Sequence, residues 1–331
     1  MPQRAFLLPL VALTTIVLPG CIVIPVGDLL KGPPLEEQVL ARGQGFFSRD
    51  KIAILEIDGI ISGSESMGLL GSQANTVAEV KARLGRMRSD PDVVGMILRI
   101  SSPGGEVTAC DVIHHEILEF KKATKIPVVA IIVDEGASGG YYVASAADTI
   151  LAHPTAIVGS IGVIIQTFNV AGLFQKIGVE SLAIKSSEKK DLLSPFRPHT
   201  EEEKQVLQNL ITDMYQRFVD VVAARSGGMG REEVLKVADG RVFSGGEALK
   251  LHLVDKVGYV GDAIEEVRAR AKIDRRPEII RYSRAARSGA NIYSAFGGAG
   301  AGPQDSGGIT LHLDPQAFPR ARFLYLWEPG R

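Results

Sequence analysis

The segment Asp134-Glu135-Gly136-Ala137-Ser138-Gly139-Gly140-Tyr141-Tyr142 is where residue types and spacing first point to chemistry. It follows an apolar run of strand length, Pro127 to Val133, and opens a small-residue stretch, Ser138 to Ala147, that reads as a helix. A serine at such a turn presents its hydroxyl where backbone N–H groups favour developing negative charge. Glycines after it allow another backbone to approach closely. The same serine also fits an ordinary N-cap, the default role of its type. A second glycine turn, Ser102-Pro103-Gly104-Gly105, likewise follows a strand (Val93 to Ile100) and precedes a helix (about Val107 to Lys122). Its N–H groups either serve an oxyanion hole or simply end a strand.

A serine nucleophile needs a base. The six histidines (114, 115, 153, 199, 252 and 312) contain no His-Glu-x-x-His, and His114 and His115 diverge on a helix because they are adjacent. No Walker loop or Gly-x-Gly-x-x-Gly is present. No metal site and no cofactor are expected. Lysine is the chemical alternative, provided burial lowers its pKa from about 10 toward about 5–6. Candidates cluster in Lys185-Ser186-Ser187-Glu188-Lys189-Lys190-Asp191, which equally reads as a solvated loop. Spacing does not choose among the three.

The elements that must position these residues alternate between strand and helix. The body opens with the apolar run Lys51 to Asp58, followed by a helix over 76–88 with Val77, Val80, Leu84 and Met87 on one face. Short strands are expected near Ile150 and over 162–165, then a helix over 169–177 and a strand near 180–185. Thr200 and Glu203 form a capping box for a long helix with the stripe Leu207, Leu210, Ile211, Met214, Phe218, Val221 and Val222. Two further helices are expected near 245–251 and 261–272. Such alternation predicts an α/β fold with a largely parallel sheet. Composition agrees: 45% hydrophobic and 23% charged residues in 331, with a net charge of −1, describe a globular chain with no large cationic surface for nucleic acid. Two cysteines, Cys21 and Cys110, exclude a disulfide framework, and Cys110 reads as a small buried residue.

The termini read differently. Arg4, the apolar run Ala5 to Pro19 and Gly20-Cys21 form a secretory signal over residues 1–20, and Leu18-Pro19-Gly20-Cys21 resembles a lipobox that would place a lipid on Cys21. The apolar run continues to Val26, so a retained membrane anchor is the alternative. Residues 21–50 read as a tether, 51–287 as the folded domain, 288–308 as a glycine-rich linker and 309–331 as a tail. The tail's apolar segments, Ile309 to Leu313 and Arg322 to Trp327, need a cover: the chain's own body or, in the sharper expectation, an adjacent subunit.

Five segments together resemble the signal peptide peptidase A (protease IV) family of bacterial serine–lysine peptidases, in its short form. They are Arg99-Ile100-Ser101-Ser102-Pro103-Gly104-Gly105, Ala137 to Tyr142, Gly159-Ser160-Ile161-Gly162-Val163, Lys190-Asp191-Leu192-Leu193-Ser194-Pro195 and Asp239-Gly240-Arg241-Val242-Phe243. Where the family more often has asparagine, this chain has Ser101. The resemblance implies the Clp protease/crotonase fold of stacked ββα units. It also implies Ser138 as nucleophile, Lys190 as general base, Ser160 as the residue orienting that lysine, and the N–H groups of Gly104 and Gly139 as oxyanion hole. A homo-oligomeric ring is implied, an octamer in the short form, with Ser138 and Lys190 meeting across a subunit boundary. The substrates would be remnant signal peptides and other extended apolar peptides, cleaved at the membrane outside the cytoplasm. Two other readings stand beside it: an inactive membrane scaffold of the same fold, and an acyl-CoA hydratase or isomerase on the shared oxyanion hole.

Overall fold

The computed structural model describes residues 34–43, 49–64, 66–68, 71–73, 75–225, 229–284 and 323–327. The leader with Cys21, the glycine-rich linker and the segment 309–313 lie outside these described residues. Everything described from Leu35 onward belongs to one unit.

The elements run β1 (Glu36–Ala41), β2 (Lys51–Asp58), a short hairpin of β3 (Ser66–Gly68) and β4 (Gly71–Gln73), α1 (Thr76–Ser89), β5 (Val93–Ser102), β6 (Gly104–Glu106), α2 (Val107–Thr124) and β7 (Val128–Ala137). There follow α3 (Gly139–Ala144), β8 (Thr149–Ala152), β9 (Ile157–Gly159), β10 (Ile164–Ile165), α4 (Ala171–Ile177) and a single 3-10 turn, Glu188–Asp191. The rest are α5 (Glu201–Ala223), α6 (Arg231–Val237), β11 (Val242–Ser244), α7 (Gly245–Lys250), β12 (Lys256–Val257), α8 (Val260–Ala271), β13 (Glu278–Ser283) and, in the tail, β14 (Phe323–Leu326).

The main sheet has the order β1-β13-β2-β5-β7-β8-β12, with β9 joined to β7 and β11 to β9. From β13 to β12 its neighbours are parallel, and only β1–β13 and β9–β11 are antiparallel. Central strands of such a sheet are covered on both faces, which is why β2, β5 and β7 are near-continuous apolar runs. Successive residues feed opposite cores: Ala53, Leu55, Met96, Leu98 and Ala130 pack on one side with α1 and α2, while Ile52, Ile54, Ile97 and Val129 pack on the other with Val260, Ala263 and Val267 of α8. Helix α8 lies so close to β5 that a Cβ on Gly95 would stand 2.2 Å from Val267. The expected faces of α1 hold, with Val80, Leu84 and Met87 buried and Asn75 accepting from the Ala78 N–H at the cap.

Three expectations change. Residues 36–41, read as tether, form β1, because β13 leaves an open edge against which they pair from Glu36↔Ser283 to Ala41↔Ile279. Residues 180–185 form no strand: no strand among the described residues pairs with them, and Leu182 and Ile184 are 87% and 95% exposed. The stripe on α5 is buried only toward its C-terminal end, at Phe218, Val219 and Val222, whereas Leu210 is exposed.

Candidate active site

Ser138 follows the last residue of β7, and Ser160 follows the last residue of β9. Because β7 and β9 are parallel and pair Ala137 with Gly159, the two serines emerge side by side. Both carry a positive φ, 50° at Ser138 and 51° at Ser160, a conformation that costs a non-glycine residue energy and persists where neighbours enforce it. The enforcing bonds are Ser138 N–H to Gly159 O (2.7 Å) and Ser160 N–H to Arg241 O (2.8 Å). Ser138 stands at the N-cap position of α3, yet its side chain makes no cap hydrogen bond. The hydroxyl is therefore not spent on the helix end, the role its type takes by default.

Gly104 and Gly139 meet at the same place: a Cβ on Gly104 would lie 2.7 Å from the Gly139 nitrogen. Gly104 has φ +109°, a conformation natural to glycine. Its N–H is not free, however, since it donates to Ser102 Oγ at 3.1 Å, and that hydroxyl donates to Gly59 O at 2.6 Å. Of the two expected oxyanion donors, the Gly104 N–H is thus engaged within its own turn.

The described end of the tail, residues 323–327, lies on the chain's own body, one of the two expected covers. Strand β14 inserts between β10 and β6 and is antiparallel to both, pairing Leu324 with Ile164 and Leu326 with Gly104. It lies directly on the glycine pair, with the Tyr325 carbonyl oxygen 1.8 Å from the position of a Gly104 Cβ and 3.0 Å from that of Gly139. Trp327 N–H donates to Pro103 O at 2.8 Å. A cleft of about 330 Å³ is lined by Ser138, Ser160 and Gly162 from the body and by Leu324, Leu326 and Trp327 from the tail. The Tyr325 side chain turns the other way and is fully buried. Its ring stacks on Tyr142 at 5.1 Å and meets Phe218 at 4.7 Å, and its hydroxyl donates to Met214 O at 2.8 Å. Tyr142 in turn donates to the Asp111 carboxylate, which Arg217 also holds. Burial pushes both tyrosine hydroxyls well above their usual range, so they remain protonated donors.

Among the described residues no lysine or histidine lines this cleft. His114 sits behind Tyr142, ring centroids 5.3 Å apart, and burial lowers it to about 4, which leaves it neutral at pH 7. The three lysines stand on the exposed segment before α5, and their surroundings differ. Lys185 pairs with Asp191 (2.7 Å) and Lys189 with Glu202, whereas the Lys190 amine has no partner among the described residues. Asp191 is held far below the usual carboxylate range, first by Arg197 and then by Lys185. The structure thus brings Ser138, Ser160, Gly104 and Gly139 together and leaves Lys190 outside their cleft. Arg197 and the aromatic pocket for Tyr325 were not singled out from sequence. For the pocket, the only signal was an apolar segment stranded beyond a glycine-rich stretch.

The sheet thus presents two serines at paired strand ends beside facing glycines, with an extended strand laid across the glycines. Residues 120–274 match peptidase family S49. The chain is 34% identical to a candidate signal peptide peptidase SppA of Enterococcus faecium, over 72% of this chain and 68% of that one. It is also 34% identical to the chloroplastic serine protease SPPA of Arabidopsis thaliana and 31% identical to protease 4 of Haemophilus influenzae. These matches take in 75% and 66% of this chain but only 37% and 34% of those longer proteins. The chain belongs to the S49 peptidase family: it is a protease with the Clp protease/crotonase-like fold.

Proposed function

We propose that the protein is a membrane-associated serine–lysine endopeptidase acting on extended, apolar peptides, remnant signal peptides among them. The observation that carries this reading is β14, a peptide strand held between β6 and β10 with its Tyr325 carbonyl on the Gly104–Gly139 pair and its next residues in the cleft with Ser138. A substrate bound in the same way gains main-chain hydrogen bonds from two strand edges, whatever its side chains.

In the proposed reaction the Lys190 free amine takes the Ser138 proton as Oγ attacks the peptide carbonyl carbon. The tetrahedral oxyanion is held by the Gly139 N–H and by the Gly104 N–H, once the latter exchanges Ser102 Oγ for the oxyanion. The C–N bond then breaks, and protonated Lys190 gives its proton to the leaving amine. Water, deprotonated by Lys190, hydrolyses the ester and restores Ser138. Ser160 would orient the lysine amine from its place beside Ser138. What favours Lys190 over Lys185 and Lys189 is that the other two amines are held in ion pairs.

Because Lys190 stands on an exposed segment, the reading requires a second copy of the chain to bring it to Ser138. The exposed apolar side chains Leu182 and Ile184, a few residues before it in the chain, are suited to such a contact. A closed ring, with an octamer as the family precedent, satisfies this for every subunit. Attachment would come from the N-terminal segment, by lipid on Cys21 or by an anchor, with the body outside the cytoplasm. Among the described residues no helix is long and apolar enough to cross a membrane. The same strand makes the resting enzyme self-occluded, and substrate must displace β14.

The test is turnover of an unfolded apolar peptide by the assembled body, comparing wild type with Ser138→Ala and Lys190→Ala. Both variants should lose at least about 100-fold in kcat while remaining assembled. An inert wild type on several such peptides would favour the scaffold reading, and an active K190A would remove Lys190 from the mechanism.

A further inference from the structure

The turn that carries Lys190 has little to hold it. It is one 3-10 turn with no buried residue, closed by long backbone bonds, Lys190 N–H to Ser187 O at 3.2 Å and Leu192 N–H to Lys189 O at 3.3 Å. A single turn of this kind is not stable alone. Side chains hold it: Lys185 Nζ donates to Asp191 Oδ1 (2.7 Å) and Glu188 O (3.1 Å), Lys189 pairs with Glu202, and Arg197 makes the most bonds. Arg197 donates from Nε and Nη2 to the two Asp191 carboxylate oxygens (2.9 and 2.7 Å) and from Nη2 to the Asp191 carbonyl (3.2 Å). The same guanidinium grips both oxygens of Glu203, with Nη1 to Oε2 at 3.0 Å.

Glu203 is a rigid anchor. It lies in the first turn of α5, is nearly buried, and accepts the Thr200 N–H at 2.9 Å in the capping box. Arg197 depresses it to about 2, so the pair stays ionised through ordinary pH. On its backbone side, Arg197 O accepts from Asn169, whose other amide atom caps α4 through the Ala171 N–H. Arg197 therefore ties the Lys190 turn to the starts of two helices. Bidentate bonding to two carboxylates at once is a geometry that a planar guanidinium makes and an ammonium does not.

The geometry points to Arg197 as the positioning residue of the general base: by clamping Asp191 to Glu203 it fixes the point and direction from which the Lys190 amine leaves the turn. This rests on the reading of Lys190 as base. A purely fold-holding role fits less well, because α5 has its own capping box and is buried through Phe218, Val219 and Val222, toward its far end. Arg197 also takes no part in the cleft where peptide binds, so its loss acts on the base and not on the peptide.

The experiment is steady-state hydrolysis by the assembled enzyme for Arg197→Gln, Arg197→Lys, Glu203→Gln and Lys190→Ala, with Tm and assembly state measured for each. R197Q should lower kcat about 100-fold with KM unchanged, as expected when a catalytic group is misplaced by about an ångström. R197K, which keeps the charge but not the fork, should lose about tenfold. E203Q preserves the capping acceptor and should lose kcat in the same direction. Wild-type kcat in R197Q overturns the proposal. So do equal losses in R197Q and R197K that track a fall in Tm. A K190A enzyme that stays active defeats the dyad itself, whereas a dead K190A beside an unaffected R197Q defeats only the positioning role.

Discussion

Replacing Tyr325 by alanine should turn a self-occluded protease into an open one. The ring is completely buried, stacked on Tyr142 and packed on Phe218, and its hydroxyl is bonded to Met214 O. Truncating a buried aromatic of this kind costs about 4 kcal/mol, and each 1.4 kcal/mol is tenfold, so the docked-to-undocked ratio of β14 falls roughly a thousandfold. In the proposed function tail and substrate share one cleft, so release of the tail should lower the apparent KM and leave kcat unchanged. The gain is limited by how completely the tail is docked in the wild type. Tyr325→Phe, which removes only the hydroxyl bond, should shift the ratio about fivefold. The assay is initial rate against peptide concentration for wild type, Y325A, Y325F and a chain ending at Arg322, with a synthetic peptide of the tail sequence added back to the last. Equal KM values across all four enzymes, or no inhibition by the added peptide, would refute the reasoning. Tm measured in parallel separates a loosened body from a vacated cleft.

Two further outcomes follow from the same coordinates. Gly104→Ala should abolish both tail docking and turnover, since its Cβ would stand 1.8 Å from the Tyr325 carbonyl oxygen on a backbone with φ +109°; protection of the tail from added protease reports the docking. His114 is held neutral by burial, its pKa lowered from 6.5 to about 4. The unfolded chain therefore binds more protons than the folded one between those values, and stability should fall as pH drops from about 6.5 to about 4. In His114→Gln, thermal melts across that window should lose this part of the slope.

The sheet was legible because its central strands are buried on both faces, so β2, β5 and β7 appear as apolar runs closed by turns. The turn at Ser138 was legible as a strand-to-helix turn, since the glycines after the serine follow the apolar run of β7. What stayed hidden depends on partners far along the chain. Six residues of the supposed tether became β1 only because β13 offers an edge, and nothing in Glu36 to Ala41 names that edge. The choice among Lys185, Lys189 and Lys190 turns on Asp191 and Glu202 engaging two of them, which depends on the fold of the loop and not on spacing. The capping box at Thr200 and Glu203 was readable, but not that Glu203 also receives Arg197. The strand expected at 180–185 failed for the converse reason: its apolar pattern has no edge to join among the described residues.

The position of β14 also orders events during synthesis. The body's side of the cleft is complete before β13, while the strand that forms its other side comes roughly 40 residues after β13, about 2–8 s of translation at about 5–20 residues per second. A newly made body can therefore fold its own side of the cleft before its tail arrives. For those seconds the edges of β6 and β10 stand unpaired, open to any extended segment that comes beside them.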